Sequence, residues 1–385
     1  MRNYYNYIYF PVLTLLLLLI SQNAAGNQSN NIRNARGIYI DSYNLDFEWS
    51  EEITESIKRA LAEELKSLSE VNIIEIESEY VAGEIRNDFL EKIHKRIDPH
   101  KFNLLIIHWD SKNRPDPKRL KSCSENSQKI IDFIKPSFVI GSDDNVSEYL
   151  ISPNKNTDVN YIFCGVNWDA TKYGFPASNI TGMIEVSPVE RLVRHLRKYA
   201  KGKQIGYLAL TNLSNMIDGK YFKRIFEDQL LERYITFFEE WKRQYLWMQK
   251  NVDMLIVAHN GGLQDWDNEE AYRFVLNNTQ IPTGATLKNM TPFVLINFAK
   301  IASEQGEWAS KIAAKLLVSG KKAGTIPIVA NTQGIMMLNI PLSKKMKIKF
   351  DIRDIRNTQE SGDFFEKGEL SSWIAPPGKG EKDFF

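Results

Sequence analysis

Short apolar runs alternate with segments of helical periodicity from about Arg36 onward, and this alternation predicts the fold class. The runs are rich in Ile, Val, Leu and Phe without alternating polar positions, which is typical of strands covered by helices on both faces. A first series comprises Gly37–Ile40, Asn72–Ile76, Asn103–His108, Ser137–Ile140 and Asn160–Gly165. A second series comprises Gln204–Leu210, Tyr234–Phe238, Asp253–Ala258 and Ile281–Ala285.

Helix-start patterns separate several of these strands. Ser187-Pro188-Val189-Glu190 has the form of a capping box with Pro at the first helical position, and Asp267 with Glu270 repeats the pattern. Alternating strands and helices predict parallel sheets with right-handed crossovers. The turn-rich stretch 167–181 divides the two series, so we expect two doubly wound, Rossmann-like lobes with a cleft facing the carboxyl ends of both sheets.

The first 26 residues have the layout of a secretory signal peptide. Arg2 precedes the apolar run Val12–Ile20, and Ala24-Ala25-Gly26 supplies a small-residue exit. The run is shorter than the ~20 residues that span a bilayer, which favours cleavage over a retained membrane anchor. The first cysteine is Cys123, so no lipid anchor is expected near the cleavage region, and a freely diffusing exported protein fits a Gram-negative periplasm.

Composition narrows the class of protein. The 385 residues carry 49 Lys+Arg against 48 Asp+Glu, and no basic stripe interrupts this balance, which argues against a nucleic-acid partner. The 2 cysteines exclude a disulfide-rich scaffold and Cys-rich metal sites. Cys123 falls in a polar segment that predicts a loop and Cys164 in a buried strand, so two unpaired thiols are favoured over a disulfide.

Aromatic and acidic residues recur just beyond the predicted strands. Trp109, Trp168 and Trp266 each precede an aspartate, and an indole face beside a carboxylate suits a planar or cationic small molecule. The alternative is that these side chains only cover the ends of the sheets. Ser142 and Asp143 stand at a predicted helix start, where two adjacent aspartates argue against an anion and leave amine recognition or capping.

Catalytic motifs do not occur in the sequence. It contains no G-x-S-x-G, H-E-x-x-H, P-loop or G-x-G-x-x-G pattern, so we expect neither an enzyme nor a cofactor. His108 and His259 follow strands of different lobes. They would form a metal site with Asp110 only if the three side chains met across the cleft, and the sequence has no metal-ligand spacing that indicates this. Cys164 follows an apolar run and indicates a structural thiol more than a nucleophile.

Several blocks of the sequence jointly resemble one family over roughly Ile38 to Ile348. The blocks are Gly141–Asn145, Phe163–Asp169, Asn179–Met183, Asp265–Asp267, Gln305–Ala309 and Ile326–Ile328. They are similar to the substrate-binding proteins of ABC transporters, of the tryptophan-transporter-related kind. The resemblance implies a type I periplasmic-binding-protein fold and delivery of a small molecule from the interlobe cleft to a membrane permease. Characterised relatives bind amino acids through a Ser/Thr-rich turn after the fourth strand, and the turn here is acidic instead.

The resemblance also implies how the chain is divided. Residues 35–166 plus 291–323 are expected in the first lobe and 167–290 plus 324–350 in the second. A long helix is expected at about Pro292–Ser319, broken near Gly306, and the polar tail 351–385 is expected to be poorly ordered. The predicted ligand contacts are Ser42, Tyr43, Trp109, Ser142, Asp143, Asn167, Trp168, Asn260 and Trp266.

The expected protein is a monomeric solute receptor with no catalytic, metal or nucleic-acid site. Two alternatives stay open. One is a sensor subunit that signals to a membrane histidine kinase, and the other is a secreted hydrolase that depends on His108 or His259.

Overall fold

A computed structural model describes residues 32, 34–43, 47–361 and 364–365 of the chain. The predicted signal peptide, residues 1–26, lies outside the described residues. Across the described ranges, no helix combines the length and the hydrophobicity needed to cross a membrane.

Lobe 1 is built on a seven-stranded parallel sheet with the strand order β12-β6-β5-β4-β1-β3-β2. Its strands are β1 (Arg36–Asp41), β2 (Val71–Ile76), β3 (Phe102–His108), β4 (Phe138–Ser142), β5 (Asn160–Asn167), β6 (Ile180–Glu185) and β12 (Val329–Ala330). Its helices are α1 (Glu48–Leu65), α2 (Ser78–Ala82), α3 (Asn87–Arg96), α4 (Pro117–Ile134), α5 (Asp143–Val146) and α10 (Ala302–Ser319).

Lobe 2 is built on a second seven-stranded sheet with the order β14-β13-β11-β10-β9-β7-β8, in which β13 runs antiparallel to β11. Its strands are β7 (Ile205–Leu210), β8 (Leu230–Ile235), β9 (Met254–Val257), β10 (Thr283–Ala285), β11 (Ile296–Lys300), β13 (Gly334–Asn339) and β14 (Phe364–Phe365). Its helices are α6 (Val189–Leu196), α7 (Leu213–Phe226), α8 (Phe238–Asn251), α9 (Asn268–Asn278), α11 (Ile340–Met346) and α12 (Ile352–Ser361). The α/β fold with two doubly wound lobes is confirmed.

Period-two alternation within the buried strands explains why each sheet carries helices on both faces. In β3, Leu105 and Ile107 pack with the core beneath α4, whereas Leu104 and Ile106 pack with the core beneath α1 and α10. The same division separates the cysteines: Cys123 belongs to the first core and Cys164 to the second. Both thiols are buried and unpaired. Cys123 lies within α4 and not in the expected loop.

The chain passes between the lobes after β6, after β11 and after β12. The first passage follows Glu185, later than the boundary expected at residue 167, because β6 pairs with β5 in the sheet of lobe 1. The expected helix Pro292–Ser319 is also wrong, since β11 occupies its first part within lobe 2. Gly306 does not break α10. A Cβ atom there would lie 2.6 Å from the Ile53 carbonyl oxygen, so the glycine allows α10 to approach α1 closely.

Part of the C-terminal segment, expected to be poorly ordered, packs on lobe 2. Asp354 of α12 is buried and pairs with Lys198 at 2.7 Å and with His195 at 3.1 Å. β14 then adds to the edge of the sheet beside β13. The remainder of the segment, apart from these elements, lies outside the described residues.

Candidate ligand-binding cleft

A cavity lies between the lobes, and its walls come from the carboxyl ends of strands in both sheets. Lobe 1 contributes Tyr43, Phe47, Trp49, Lys112, Asp143, Asn167 and Glu185. Lobe 2 contributes chiefly Tyr207, Ser214, Asn215, Asp218, Phe222, His259, Thr286 and Lys300. The space between these side chains is about 540 Å³ including the part open to solvent, but the centre of a water molecule reaches only about 30 Å³ of it. The two lobes therefore lie close together, and the space between their walls is of the size of a small-molecule site.

Asp143 enters the cavity from the turn that joins β4 to α5. Its backbone has a φ of 64°, and Gly165 of the neighbouring strand β5 lies against it. The Asp143 side chain is 2% exposed, and its Oδ2 atom has no hydrogen-bond partner among the described residues. Burial raises the pKa of Asp143 well above its ordinary value, and the Glu185 and Asp144 carboxylates raise it further while Lys112 opposes them. The cavity thus presents a buried acid with one oxygen atom that accepts no hydrogen bond from the part of the chain that the structure describes.

Glu185 and Lys300 form an ion pair where the first two interlobe passages meet. Glu185 ends β6, Lys300 ends β11, and their side chains are 7% and 5% exposed. Burial raises the pKa of Glu185, although the Lys300 ammonium lowers it in part. Burial alone would lower the pKa of Lys300, but Glu185 and Asp218 outweigh it, so that this pKa is raised. The pair is fixed on the lobe 1 side by Trp49, whose ring centroid is 5.2 Å from Lys300 Nζ.

Lys112 places its ammonium group against aromatic rings on the lobe 1 wall. Its Nζ atom lies 4.6 Å from the ring centroid of Tyr43 and 5.0 Å from that of Phe47, within cation–π range. Burial lowers the pKa of Lys112, and the Asp143 and Glu185 carboxylates oppose this effect. The Tyr43 and Phe47 rings thus contact a cation that forms no ion pair among the described residues.

The lobe 2 wall carries polar groups from the start of α7 and the end of β9. Asn215 is fully buried, and its Oδ1 atom has no hydrogen-bond partner among the described residues. Asp218 accepts hydrogen bonds from Trp168 and from the Ser187 hydroxyl. His259 Nδ1 accepts from the Gly261 amide at 3.2 Å, which leaves the proton of the neutral ring on Nε2. Burial, with Lys112 and Lys300, holds the pKa of His259 well below its ordinary value.

Several contacts between described residues join the lobes across the cleft. Trp168 of lobe 1 stacks on Tyr221 of α7, with ring centroids 4.7 Å apart, and its indole N–H donates to Asp218 at 2.6 Å. Phe47 meets His259 with ring centroids 6.4 Å apart. Lys288 of lobe 2 lies 3.5 Å from Glu48 and 3.8 Å from Glu52 of α1. All of these contacts would be lost if the lobes moved apart.

The structure brings Tyr43, Asp143 and Asn167 together in the cavity wall. Asn167 is oriented by Asp144, whose Oδ2 atom accepts from its side-chain amide. Ser42 and Ser142 lie behind this wall: the Ser42 amide donates to the Ser142 hydroxyl at 3.1 Å, and both residues are buried. These two serines therefore support the strand ends and do not face the cavity.

The remaining predicted contacts lie elsewhere. Trp109 is fully buried in lobe 1 and donates to the Ser127 hydroxyl at 3.0 Å. Trp266 packs against Trp241 and Phe293 inside lobe 2. Asn260 borders a separate groove and accepts from Asn289 at 3.0 Å. Trp168 joins the lobes as described above and is not part of the cavity wall. Two of the three predicted Trp-Asp pairs thus provide packing.

The residues considered for a metal site have other partners. His108 Nδ1 lies 2.9 Å from Asp41 in a buried pair, whereas Asp110 contacts Arg114 and Asn113. His259 faces Phe47. Among the described residues, no three His, Cys, Asp or Glu side chains cluster as the ligands of a metal ion would.

Sequence reasoning missed most of the charged or polar wall residues, among them Lys112, Glu185, Asn215, Asp218 and Lys300. Glu185 ends β6, which the hydrophobic pattern did not distinguish from the turn before it. Lys300 ends β11, which the pattern did not distinguish from the helix after it. Asn215 follows Asn212, whose side chain caps α7 by accepting from the Asn215 amide. A search for caps after β7 would have pointed to this helix start.

The chain is similar to known proteins in its structure. No protein-family model and no curated protein sequence matches the chain. A tryptophan-bound ABC domain from Streptococcus pneumoniae superimposes with a TM-score of 0.57 at 15% identity, over 86% of this chain and 100% of the other.

Two further structures give similar superpositions. A ligand-free, open substrate-binding protein with adhesive properties from Clostridium difficile has a TM-score of 0.56 at 14% identity, over 86% of this chain and 99% of the other. A conserved domain protein from Vibrio cholerae has a TM-score of 0.56 at 12% identity, over 86% and 100% of the two chains. Together with the two sheets and three interlobe passages, these superpositions establish that the chain has the type I periplasmic-binding-protein fold.

Proposed function

We propose that this protein is an extracytoplasmic solute receptor. It captures one small molecule between its lobes, closes about the hinge at Glu185 and Lys300, and delivers the molecule to the membrane permease of an ABC transporter. Export by the N-terminal 26 residues and action as a monomer in the periplasm belong to the same proposal.

The observation that carries the proposal is a polar cavity shared by both lobes. Groups from each lobe reach the same space, so a ligand that contacts Asp143 and Asn215 together favours the closed arrangement over an open one. A ligand shifts such an equilibrium only through contacts that differ between the two states. The fold supports this proposal, as do two of the matched structures, which are a tryptophan complex of an ABC domain and a substrate-binding protein.

Native mass spectrometry tests the binding step. The protein is unfolded, refolded without ligand and incubated with a small-molecule extract of bacterial cells; we expect one bound compound per chain. Ser214→Trp should abolish the adduct, because Ser214 is half-buried and lines the cavity. Leu213→Trp is the matched control, because Leu213 is 54% exposed on the same helix and should leave binding intact. Equal adducts in both variants would contradict binding in this cleft.

Delivery is tested by the neighbouring genes. Adjacent permease and ATPase genes support transport, whereas a kinase gene in their place would replace delivery by sensing. Loss of uptake of the identified compound on deletion of the gene, restored by the wild-type protein and not by Ser214→Trp, completes the test.

A further inference from the structure

We infer that the cleft selects a small monovalent amine without a carboxylate group, whose ammonium group binds Asp143 and whose further hydrogen-bond donor reaches Asn215. This inference rests on the proposed solute-binding function and specifies the chemical class of the solute.

The charges of the cavity wall favour a cation. Its carboxylates are Asp143, Glu185 and Asp218, and its ammonium groups are Lys112 and Lys300, so the wall has a net formal charge of −1 once Asp143 gives up its proton beside a ligand ammonium group. Glu185 and Lys300 neutralise one another directly. A ligand of charge +1 completes the balance in a closed, poorly solvated space, whereas a zwitterion or a neutral sugar leaves it incomplete.

The unpartnered atoms of the cavity wall favour a ligand that donates hydrogen bonds. Asp143 Oδ2 and Asn215 Oδ1 are both acceptors, both are buried, and both lack a partner among the described residues. They come from different lobes, so a ligand that donates to each also holds the lobes together. An unsatisfied buried acceptor is costly, and a carboxylate acceptor is satisfied best by a charged donor.

The cation already present on the wall is compensated without a ligand anion. Lys112 lies over the Tyr43 and Phe47 rings and within the field of Asp143 and Glu185. A ligand carboxylate would have to enter that field, next to two acids. The acidic turn at Asp143 thus favours an amine where a neutral turn would accept the carboxylate of an amino acid.

The test compares four pairs of compounds by isothermal titration calorimetry on the refolded full chain. Three pairs are an amine and its parent amino acid: ethanolamine and serine, 2-phenylethylamine and phenylalanine, 3-methylbutylamine and leucine. The fourth is glucosamine and glucose. We expect at least one amine to bind at least about tenfold more tightly than its partner, which corresponds to one charge-assisted contact.

Asp143→Asn is the decisive variant, because asparagine keeps the shape and tolerates the positive φ at this position. It should weaken amine binding by about ten- to a hundredfold and reduce the preference over the partner compound. Asp132→Asn is the matched control, since it removes the same charge from the exposed face of α4. Amine binding to the wild type should also release protons, because an ammonium group lowers the raised pKa of Asp143, and this release should disappear in Asp143→Asn.

Preference for an amino acid or for glucose would overturn the inference and leave the proposed function intact. If none of the four amines binds in the calorimeter, the inference is overturned as well. Absence of any adduct from the cell extract in native mass spectrometry would instead count against the proposed function itself, so the two failures are distinguishable.

Discussion

Replacing Lys300 by methionine should destabilise the protein strongly, because it leaves the Glu185 carboxylate buried without its partner. The two side chains are only 5% and 7% exposed, so water cannot replace the lost ammonium group. Methionine retains the length of the side chain and its packing against Trp49, which confines the change to the charge.

The expected loss follows from this burial. Removing one partner of a buried pair costs about 3–5 kcal/mol, since the remaining charge keeps its desolvation penalty. Acid should reduce the loss: burial raises the pKa of Glu185, and without Lys300 that pKa rises further. The folded variant therefore binds a proton at a higher pH than the unfolded chain does, and its stability deficit shrinks as pH falls through the folded pKa.

Urea denaturation at several pH values, followed by circular dichroism, measures the effect. Arg273→Met is the control: it removes one cation from an ion pair whose partners are 71% and 64% exposed, and it should leave the free energy of unfolding unchanged within error. The double variant Glu185→Gln/Lys300→Met should regain most of the loss, because no unpaired charge remains. A loss in Lys300→Met no larger than that in Arg273→Met would refute the reasoning.

Three other expectations test separate parts of the cleft. Trp168→Ala removes the stacking on Tyr221 and the hydrogen bond to Asp218, so small-angle scattering should show a larger radius of gyration than for Trp247→Ala, whose indole is 37% exposed on α8; equal radii would argue against an interlobe role. Gly165→Ala should lower the free energy of unfolding by more than the control Gly320→Ala. Both glycines have a positive φ, which costs about 1–2 kcal/mol for other residues, but only at Gly165 would the added Cβ atom also lie 3.1 Å from Asp143. As the pH falls below about 6.5, the free energy of unfolding should decrease more steeply in the wild type than in His259→Gln. The reason is that this histidine binds a proton in the unfolded chain but stays neutral when buried in the folded protein. Parallel pH profiles of the two proteins would exclude this contribution.

The sequence was sufficient for the class of fold because the buried strands are continuous apolar runs. Besides β14 in the polar tail, two strands were missed for local reasons. β6 contains Thr181 and Gly182 and follows a turn-rich stretch, and β11 merges with the apolar start of α10. The lobe boundaries were displaced for the same reasons, since β6 and β11 each end at an interlobe passage.

The cavity could be predicted only near the carboxyl ends of the strands that the sequence revealed. Tyr43 and Asp143 come just after β1 and β4, Asn167 is the last residue of β5, and all three lie in the wall, while their role as ligand contacts stays a prediction. Trp109 also follows a strand, but its amide continues the pairing by donating to Asp41, and its indole points into the core of lobe 1. The chain turns only at Asp110, which has a φ of 53°, and no pattern of residue types reveals that one-residue difference.

The three passages between the lobes also bear on how the protein is made. The helix α10, which packs on α1, and the edge strand β12 lie beyond residue 300, so the first half of lobe 1 is synthesised long before its covering helix. A fragment that ends after β6 would leave the α1 side of its sheet without this helix, and its apolar surface would be open to aggregation. Neither lobe can therefore be obtained by cutting the gene once; a stand-alone lobe 1 requires α10 and β12 to be rejoined to residue 186 by a designed linker.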